Sequence, residues 1–188
     1  MRFAETPVPG AWLIELEPIA DERGWFARTF CTEEFAAHGL DPSVAQCNAS
    51  FNDRAGTLRG MHYQAEPHGE AKLVRCTRGA IWDAVVDLRP DSPAFCRWTG
   101  HELTETNGRM LYAPVGTAHG FVTLTDDSEV LYLMSYPYVP GAARGVRFDD
   151  PAFGIEWPVA PAVISERDRG YPDFSRRRGG AGTRPGST

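Results

Sequence analysis

Several features are scarce in this 188-residue chain, and each scarcity excludes a class of protein. The four cysteines form no CxxC pair and show no zinc-like spacing, which predicts free thiols in a reducing cytoplasm. The longest apolar runs span only a few residues, so no segment is expected to cross a membrane. The opening MRFAETPVPGAW carries one positive charge and lacks an apolar stretch, which argues against a secretory signal. We therefore expect a cytoplasmic protein.

An excess of positive charge is also missing. The formal net charge is -6, which argues against a general nucleic-acid-binding protein. The basic residues are nevertheless unevenly spread, and one stretch holds Arg54, Arg59, Lys72, Arg75 and Arg78. These residues are interpreted either as solvated charge along strand edges or as a local basic pocket for an anionic small molecule.

Short β-prone runs, separated by Gly, Pro, Asn and Asp, dominate what is present. The clearest runs cover residues 11–17, 25–30, 44–51, 71–77, 80–88, 95–103, 109–113, 120–124 and 129–136. In the run 80–88, Trp82, Ala84, Val86 and Leu88 share one face by period-two alternation. About ten strands at this spacing predict an all-β sandwich, jelly roll or barrel.

Helical signals are few. Thr32 is a suitable N-cap for a helix that Gly39 would end, and a second short helix is predicted near Ser165 to Arg169. A chain of this length fits one domain with a full core. We place that domain at residues 1–174 and expect the Gly- and Arg-rich segment 175–188 to be disordered.

Two histidine-containing segments carry the first functional signal. One segment, GTLRGMHYQ, begins at Gly56 and contains His62, and the other, PVGTAH, ends at His119. Their order and their glycine, proline and histidine spacings resemble the two motifs of the cupin superfamily. This resemblance implies a small cupin-type jelly-roll barrel with a few short peripheral helices.

The departures from that pair of motifs bear on metal binding. A metal-binding cupin supplies three histidines and a glutamate, whereas Gln64 and Lys72 stand at two of those positions here. A protonated lysine would repel a divalent cation, so no metal site is predicted. Arg59, Lys72 and His119 instead give the pocket of His62 a cationic character that suits an anionic ligand or an enolate. A satisfied barrel histidine stays open as the alternative for His62.

The wider sequence resembles the dTDP-4-dehydrorhamnose 3,5-epimerase family over residues 10–174. The shared motifs, in chain order, are DERGWF at 21–26, QCNAS at 46–50, LRGMHYQ at 58–64, KLV at 72–74, DAVVDLR at 83–89, PVGTAHGF at 114–121, EVLY at 129–132, GIEWP at 154–158 and SERD at 165–168. The resemblance implies an isomerase that needs no cofactor and acts on a dTDP-4-keto-6-deoxysugar.

The resemblance also implies roles for four residues in proton transfer next to the 4-ketone. His62 matches the general base and Asp168 matches the carboxylate that orients it. Lys72 is placed to stabilise the enolate oxygen, and Tyr132 matches the proton donor on the opposite face. Together they would invert C3 and C5 of dTDP-4-dehydro-6-deoxyglucose. Structural alternatives stay open, because Tyr132 lies in an alternating run typical of core packing and Asp168 follows Arg167 as in a surface ion pair.

A further set of positions matches those that line the sugar-nucleotide site in the family: Arg23, Phe26, Gln46, Asn48, Arg59, His119, Tyr138 and Arg167. Arg59 suits bidentate contact with a diphosphate, and the aromatic rings suit stacking on thymine or on the sugar. In the family, the segment around Arg23 and Phe26 reaches across a dimer interface, which implies a homodimer. A turn residue beside Gly24 is the alternative for Arg23.

Some positions depart from the family pattern. Arg28, Ala142 and Ala143 stand where glutamates are expected, and Arg167 replaces a lysine. Because these positions contact substrate in the family, they leave the nucleotide base and the exact sugar open. A mono-epimerase that inverts only C3 or only C5 is the nearest alternative. A metal-dependent cupin enzyme and a sugar-binding cupin without activity are the alternatives from other classes.

Overall fold

The computed structural model describes residues 1–175, so the segment predicted to be disordered lies outside the described residues except for Ser175. Within the described part, short helices interrupt a chain built mainly of strands. The strands are β1 (Arg2–Glu5), β2 (Trp12–Glu15), β3 (Ile19–Asp21), β4 (Gly24–Phe26), β5 (Gln46–Asn52), β6 (Thr57–Gln64), β7 (Lys72–Arg78), β8 (Ala80–Asp87), β9 (Trp98–Thr104), β10 (Met110–Ala113), β11 (Thr117–Thr123), β12 (Ser128–Met134), β13 (Ala143–Gly145) and β14 (Val163–Ile164). The helices are α1 (Thr32–Ala37), a 3-10 turn (Pro140–Ala142) and α2 (Glu166–Arg169).

Two sheets form the body of the fold. Sheet I has the strand order β1-β2-β10-β7-β12-β5, and sheet II has the order β13-β6-β11-β8-β9. The pairs within both orders are antiparallel, while β14 runs parallel to the first half of β6. A separate antiparallel ribbon joins β3 and β4. Facing sheets whose neighbours are distant in sequence make a jelly-roll barrel, so the all-β prediction is confirmed.

The interior between the sheets is apolar at one end. Val74, Leu111 and Val130 of sheet I meet Val85 and Phe121 of sheet II, and each is fully buried. Burial of side chains of this size stabilises the fold by about 1.5–3 kcal/mol each. This packed end holds the two sheets at a fixed separation, and the polar site occupies the space beyond it.

Strand β8 is buried on both faces. Ile81 and Val85 point into the barrel, while Trp82, Ala84 and Val86 pack under a C-terminal segment that contributes aromatic rings. The predicted shared face is therefore real, and it is the outer face of the barrel. Because both faces of β8 are buried, the run 80–88 is nearly continuous apolar sequence.

Strand β6 carries His62 and is absent from the predicted runs. Its sequence mixes Arg59, Gly60, His62 and Gln64 with apolar residues, so its alternation is weak. It is nevertheless a central strand that pairs with β11 and brings His62 beside His119. Tertiary pairing outweighs local strand propensity at this position.

Two glycines permit a close approach of β6 and β11. Gly60 has φ of +137°, and a Cβ there would lie 2.5 Å from the Cα of Gly120. A Cβ on Gly120 would lie 2.7 Å from the Met61 sulfur and 2.9 Å from the Arg59 carbonyl oxygen. A larger residue at either glycine would push the strands apart and displace the neighbouring histidines.

Both predicted helices are present, with one cap at a different residue, and the 3-10 turn Pro140–Ala142 was not predicted. Cys31, not Thr32, is the N-cap of α1, because the backbone of Cys31 is extended and its carbonyl accepts the first helical hydrogen bond from Phe35. Gly39 follows the helix with φ of +72°, as a terminating glycine does. The run predicted at 25–30 is also too long, since β4 ends at Phe26. None of the helices within residues 1–175 is long and apolar enough to cross a membrane.

Candidate active site

A cavity of about 630 Å³ lies between the two sheets. Sheet I contributes side chains from β5, β7 and β12, sheet II contributes side chains from β6 and β11, and a third wall comes from the segment that contains β14 and α2. The lining residues are Asn48, Ala49, Ser50, Thr57, Leu58, Arg59, His62, Lys72, His119, Phe121, Tyr132, Met134, Val163, Ile164, Ser165, Arg167 and Asp168. All four predicted catalytic residues therefore line one space.

His62 and Asp168 form a hydrogen-bonded pair at this cavity. His62 Nε2 lies 2.6 Å from Asp168 Oδ1, and the imidazole side chain is 38% exposed while the carboxylate is 6% exposed. Burial alone would raise the pKa of Asp168, but the hydrogen bond from His62 and further bonds from Gly60 N–H and Ser165 lower it below its ordinary value. Asp168 is thus held as a carboxylate beside an accessible imidazole, and the surface ion pair with Arg167 is the wrong alternative.

The local sequence explains how Asp168 reaches β6. Ser165 is the N-cap of α2, and its Oγ accepts a hydrogen bond from the Asp168 backbone N–H. The residues before it form β14, which pairs in parallel with Thr57 and Leu58 of β6. This docking against the strand of His62 places the aspartate under the imidazole.

Lys72 reaches the cavity from sheet I. Its side chain is 9% exposed, and its Nζ donates to the His62 carbonyl oxygen at 3.1 Å and pairs with Glu70 Oε1 at 3.1 Å. Burial lowers the pKa of Lys72, while Glu70 and Asp83 act in the opposite direction. The lysine is therefore buried with charged partners, as the electrostatics of a desolvated ammonium require.

Tyr132 faces the cavity from β12. Its hydroxyl lies 2.9 Å from Ser50 Oγ, and its ring meets the His119 ring edge-on with centroids 6.2 Å apart. Burial raises the pKa of Tyr132 far above its ordinary value, against the smaller opposing effects of Ser50 and Arg59. The phenol is consequently protonated at neutral pH, with a cation and a hydroxyl nearby.

His119 belongs to a second pair, with Asp83 of β8. His119 Nε2 lies 2.6 Å from Asp83 Oδ1, and the two side chains are 6% and 0% exposed. Burial raises the pKa of Asp83 in spite of His119, His101 and Lys72, which oppose it. Within residues 1–175, Asp83 Oδ2 has no hydrogen-bond partner.

The basic stretch contributes only part of its charge to the cavity. Of its five residues, Arg59 and Lys72 line the main cavity. Arg59 is held by Asn52, whose Oδ1 accepts from Nε at 2.7 Å, while Arg78 lies over the Phe51 ring. Arg167 also lines the cavity, with its guanidinium 6.0 Å from the Tyr171 ring centroid. Arg59 and Lys72 thus lie at a cavity, as the pocket interpretation expects, and an anionic ligand there stays a prediction.

Four predicted substrate-binding residues lie outside the cavity of the single chain. Arg23 and Phe26 belong to the exposed β3–β4 ribbon, where Arg23 bonds Asp21 and Phe26 is 74% exposed. Gln46 accepts a hydrogen bond from the Tyr138 backbone N–H, and the Tyr138 side chain is exposed. The remaining predicted residues, Asn48, Arg59, His119 and Arg167, line the cavity.

The positions that depart from the family pattern have structural roles in this chain. Arg28 pairs with Glu34 of α1 at 2.6 Å. Ala142 is buried, and Ala143 pairs with Gln64 between β13 and β6. The Gln64 amide donates to the carbonyls of His68 and Pro137, so it ties loops together instead of facing the cavity.

Sequence reasoning assigned no role to Asp83, Ser50 or Tyr171. Asp83 carried a signal, because an ionisable residue on the inward face of an otherwise apolar strand needs a partner inside. Ser50 and Tyr171 carried none, since their contacts with Tyr132 and with the ring of His62 depend on the folded barrel. Within residues 1–175, no group of three or more His, Cys, Asp or Glu side chains is arranged to hold a metal ion.

The fold and the site together define a class: an enzyme with a cupin-type barrel, in which a histidine–aspartate pair, a lysine and a tyrosine surround an open cavity suited to proton transfer. The chain belongs to the dTDP-4-dehydrorhamnose 3,5-epimerase family, whose model matches residues 5–176. The family resemblance and the cupin-type fold are therefore confirmed.

Individual relatives agree with the family assignment. The chain is 40% identical over 175 residues to the dTDP-4-dehydrorhamnose 3,5-epimerase of Sinorhizobium fredii, which covers 93% of this chain and 90% of that protein. It is 39% identical over 170 residues to the dTDP-4-dehydrorhamnose 3-epimerase of Streptomyces niveus, and the match covers 90% of this chain and 82% of that protein. The crystal structure of dTDP-4-dehydrorhamnose 3,5-epimerase from Elizabethkingia anophelis superposes with a TM-score of 0.89 at 36% identity, covering 93% of this chain and 96% of that one.

Proposed function

We propose that this isomerase inverts C3 and C5 of dTDP-4-dehydro-6-deoxyglucose by removing and returning protons next to the 4-ketone. The observation that carries the proposal is that His62 and Tyr132 come from opposite sheets and line the same cavity. A base and an acid on opposite sides of a sugar ring are what inversion at carbon requires.

The first step is proton removal by His62. The imidazole takes the proton from the carbon beside the ketone, and the electron pair moves to the carbonyl oxygen to give an enolate. Asp168, hydrogen-bonded at 2.6 Å, stabilises the imidazolium that forms. The Lys72 ammonium lies at the same cavity and stabilises the enolate oxygen, since a charge in a water-poor site acts through a low dielectric.

The second step is reprotonation by Tyr132 from the other side. Burial keeps the phenol protonated until the enolate forms, so a proton is available on that face. The phenolate left behind is stabilised by the Ser50 hydroxyl and by the positive charge of Arg59. Proton exchange with water then restores both residues for a second inversion.

Substrate binding draws on the cations around the cavity. Arg59 suits the diphosphate, and Asn48, His119 and Arg167 suit the sugar nucleotide because each has a polar side chain at the cavity wall. We further propose a homodimer in which the β3–β4 ribbon of a second copy brings Arg23 to the site, because Trp25 and Phe26 are exposed apolar residues on that ribbon. Sedimentation equilibrium that returns a monomer at micromolar concentration would contradict the dimer.

A cytoplasmic location and independence from metals belong to the same proposal. Cys31, Cys47 and Cys76 are free thiols, as expected in a reducing compartment. Lys72 at a former metal-ligand position supplies the electrophile that a cation would otherwise provide. Full activity after treatment with EDTA is expected, and restoration of a lost activity by iron or zinc would contradict the metal-free mechanism.

Solvent exchange is the test of the reaction. The purified protein is incubated with dTDP-4-dehydro-6-deoxyglucose in heavy water, and the sugar protons are followed by NMR. Loss of signal at both C3 and C5 is expected, because each inverted carbon takes up deuterium. Loss at one carbon would favour the mono-epimerase that the Streptomyces niveus relative exemplifies by its name. Tight binding without exchange would make the protein a sugar-nucleotide-binding module.

A further inference from the structure

Glu70 is a buried carboxylate that the mechanism above does not use. It lies two residues before Lys72 in the loop that leads into β7, and its side chain is 5% exposed. Oε1 pairs with Lys72 Nζ at 3.1 Å, whereas Oε2 has no hydrogen-bond partner within residues 1–175. A buried carboxylate oxygen without a partner is costly, so its retention beside a reacting centre calls for a functional reason.

The contacts of Lys72 show what Glu70 does to it. An ammonium has three N–H donors, and two of them are used, by Glu70 and by the His62 carbonyl oxygen. The third is left for the cavity that Lys72 lines. Glu70 therefore restricts the rotation of the ammonium and leaves one donor for a ligand.

The charges around Lys72 come from several elements. Glu70 precedes it in the chain, Asp83 with its partner His119 faces it from sheet II, and His62 and Tyr132 line the same cavity. Both carboxylates favour the charged form of Lys72 against the effect of its burial, and the direct contact is the one with Glu70.

We propose that Glu70 is a positioning residue for the reaction: its carboxylate keeps the buried Lys72 ammonium charged and aims the free N–H at the ketone oxygen. The inference rests on the proposed function, because it assigns Glu70 to the stabilisation of the enolate formed there. Without Glu70, the lysine would lose its proton more readily and the enolate would lose its cation as the pH rises.

The test is the pH dependence of kcat for Glu70→Gln, measured as deuterium uptake. The amide keeps the shape and an acceptor oxygen but removes the charge. We expect the exchange rate to fall on the alkaline side at a pH lower by about one unit or more than in the wild type, with KM changed less than kcat. Glu66→Gln, the same substitution on the exposed part of this loop, is the matched control and should keep the wild-type profile.

Glu70→Asp separates charge from position and guards against a folding defect in the amide variant. It should keep the wild-type alkaline behaviour with a reduced kcat, because the charge stays while the contact lengthens. If the wild type exchanges protons and the profile of folded Glu70→Gln superimposes on it, or if Glu70→Asp shows the alkaline loss, the role of Glu70 is refuted. If the wild type itself does not exchange, the proposed function fails first.

Discussion

The pairs His62–Asp168 and His119–Asp83 share one contact, since in each a ring Nε2 lies 2.6 Å from a carboxylate Oδ1. Their surroundings differ. The first pair reaches the cavity with an imidazole that is 38% exposed, whereas the second is almost completely enclosed. The second oxygen of Asp168 accepts from Gly60 N–H, while that of Asp83 has no partner within residues 1–175.

The difference shows how the same two side chains acquire different chemistry. Hydrogen bonds lower the pKa of Asp168 despite its burial, while burial raises the pKa of Asp83 despite its partner. An accessible imidazole beside a stabilised carboxylate suits repeated proton transfer. An enclosed imidazole held by a buried carboxylate suits a fixed polar contact that orients substrate and packs against Tyr132.

The largest predicted contrast is between His62→Asn and His119→Asn. Replacing the base should lower kcat for deuterium uptake at both carbons by about 10³-fold or more, because general base catalysis contributes at that scale. Replacing His119 should mainly raise KM, with a smaller loss in kcat, because our proposal gives its ring a role in binding substrate and none in taking the proton. Steady-state kinetics with NMR detection measures kcat and KM for both variants. Unchanged deuterium exchange in His62→Asn would contradict the proposed mechanism.

A smaller contrast is expected between Asp168→Asn and Asp83→Asn. The amide at 168 keeps the hydrogen-bonding shape but no longer stabilises the imidazolium, so we expect kcat to fall by about 10²-fold. The amide at 83 loses its charge beside His119, which it contacts directly, and near Lys72, which it affects only through space, so kcat should change by less than about tenfold. Equal losses in the two variants would mean that the pairs are equivalent and that the comparison is wrong.

The smallest predicted effect is on the free energy of unfolding. Its dependence on pH has opposite sign for Asp168 and for Asp83. The lowered pKa of Asp168 stabilises the fold above its unfolded value of about 3.9, and this contribution is lost as the pH falls through the folded pKa. The raised pKa of Asp83 stabilises the fold below about 3.9, and that contribution is lost as the pH rises through its folded pKa.

Urea unfolding as a function of pH measures this difference. The free energy of unfolding of Asp168→Asn should be lower than that of the wild type by on the order of 1 kcal/mol at pH 6. The difference should shrink as the pH falls below about 4. The free energy of unfolding of Asp83→Asn should increase relative to that of the wild type as the pH rises above about 4. The same trend in both variants would show that the two carboxylates do not differ in the way described.

Most of the fold was predictable because its signals are local. The alternation along 80–88 and the turn residues between runs depend on neighbouring positions, and they predicted an all-β sandwich, jelly roll or barrel. The resemblance to the cupin motifs then singled out the jelly roll. β6 was missed because Arg59 and His62 face the cavity and Gln64 bonds neighbouring loops, which breaks the apolar alternation, while its strand character comes from pairing with β11. The cap of α1 was placed one residue too late, because the chain is already helical at Thr32.

The site was predictable only where a motif marked it. His62, Lys72, Tyr132 and Asp168 carry recognisable motifs, and the barrel brings them to one cavity. The partners that set their pKa values, such as Glu70, carry no sequence pattern. Arg23, Phe26, Gln46 and Tyr138 lie outside the cavity of one chain, so their assignment stays a prediction. For Arg23 and Phe26 that prediction depends on a second copy.

The large sequence separation between His62 and Asp168 determines when this pair can form during synthesis of the chain. These partners are 106 residues apart, whereas Asp83 and His119 are separated by only 36. Both members of the buried pair have been made once the ribosome has passed His119, whereas the reactive pair is complete only when Asp168 of α2 has been made. A nascent chain therefore carries its base without the carboxylate partner until Asp168 itself has been made, even when both members of the buried pair are already present.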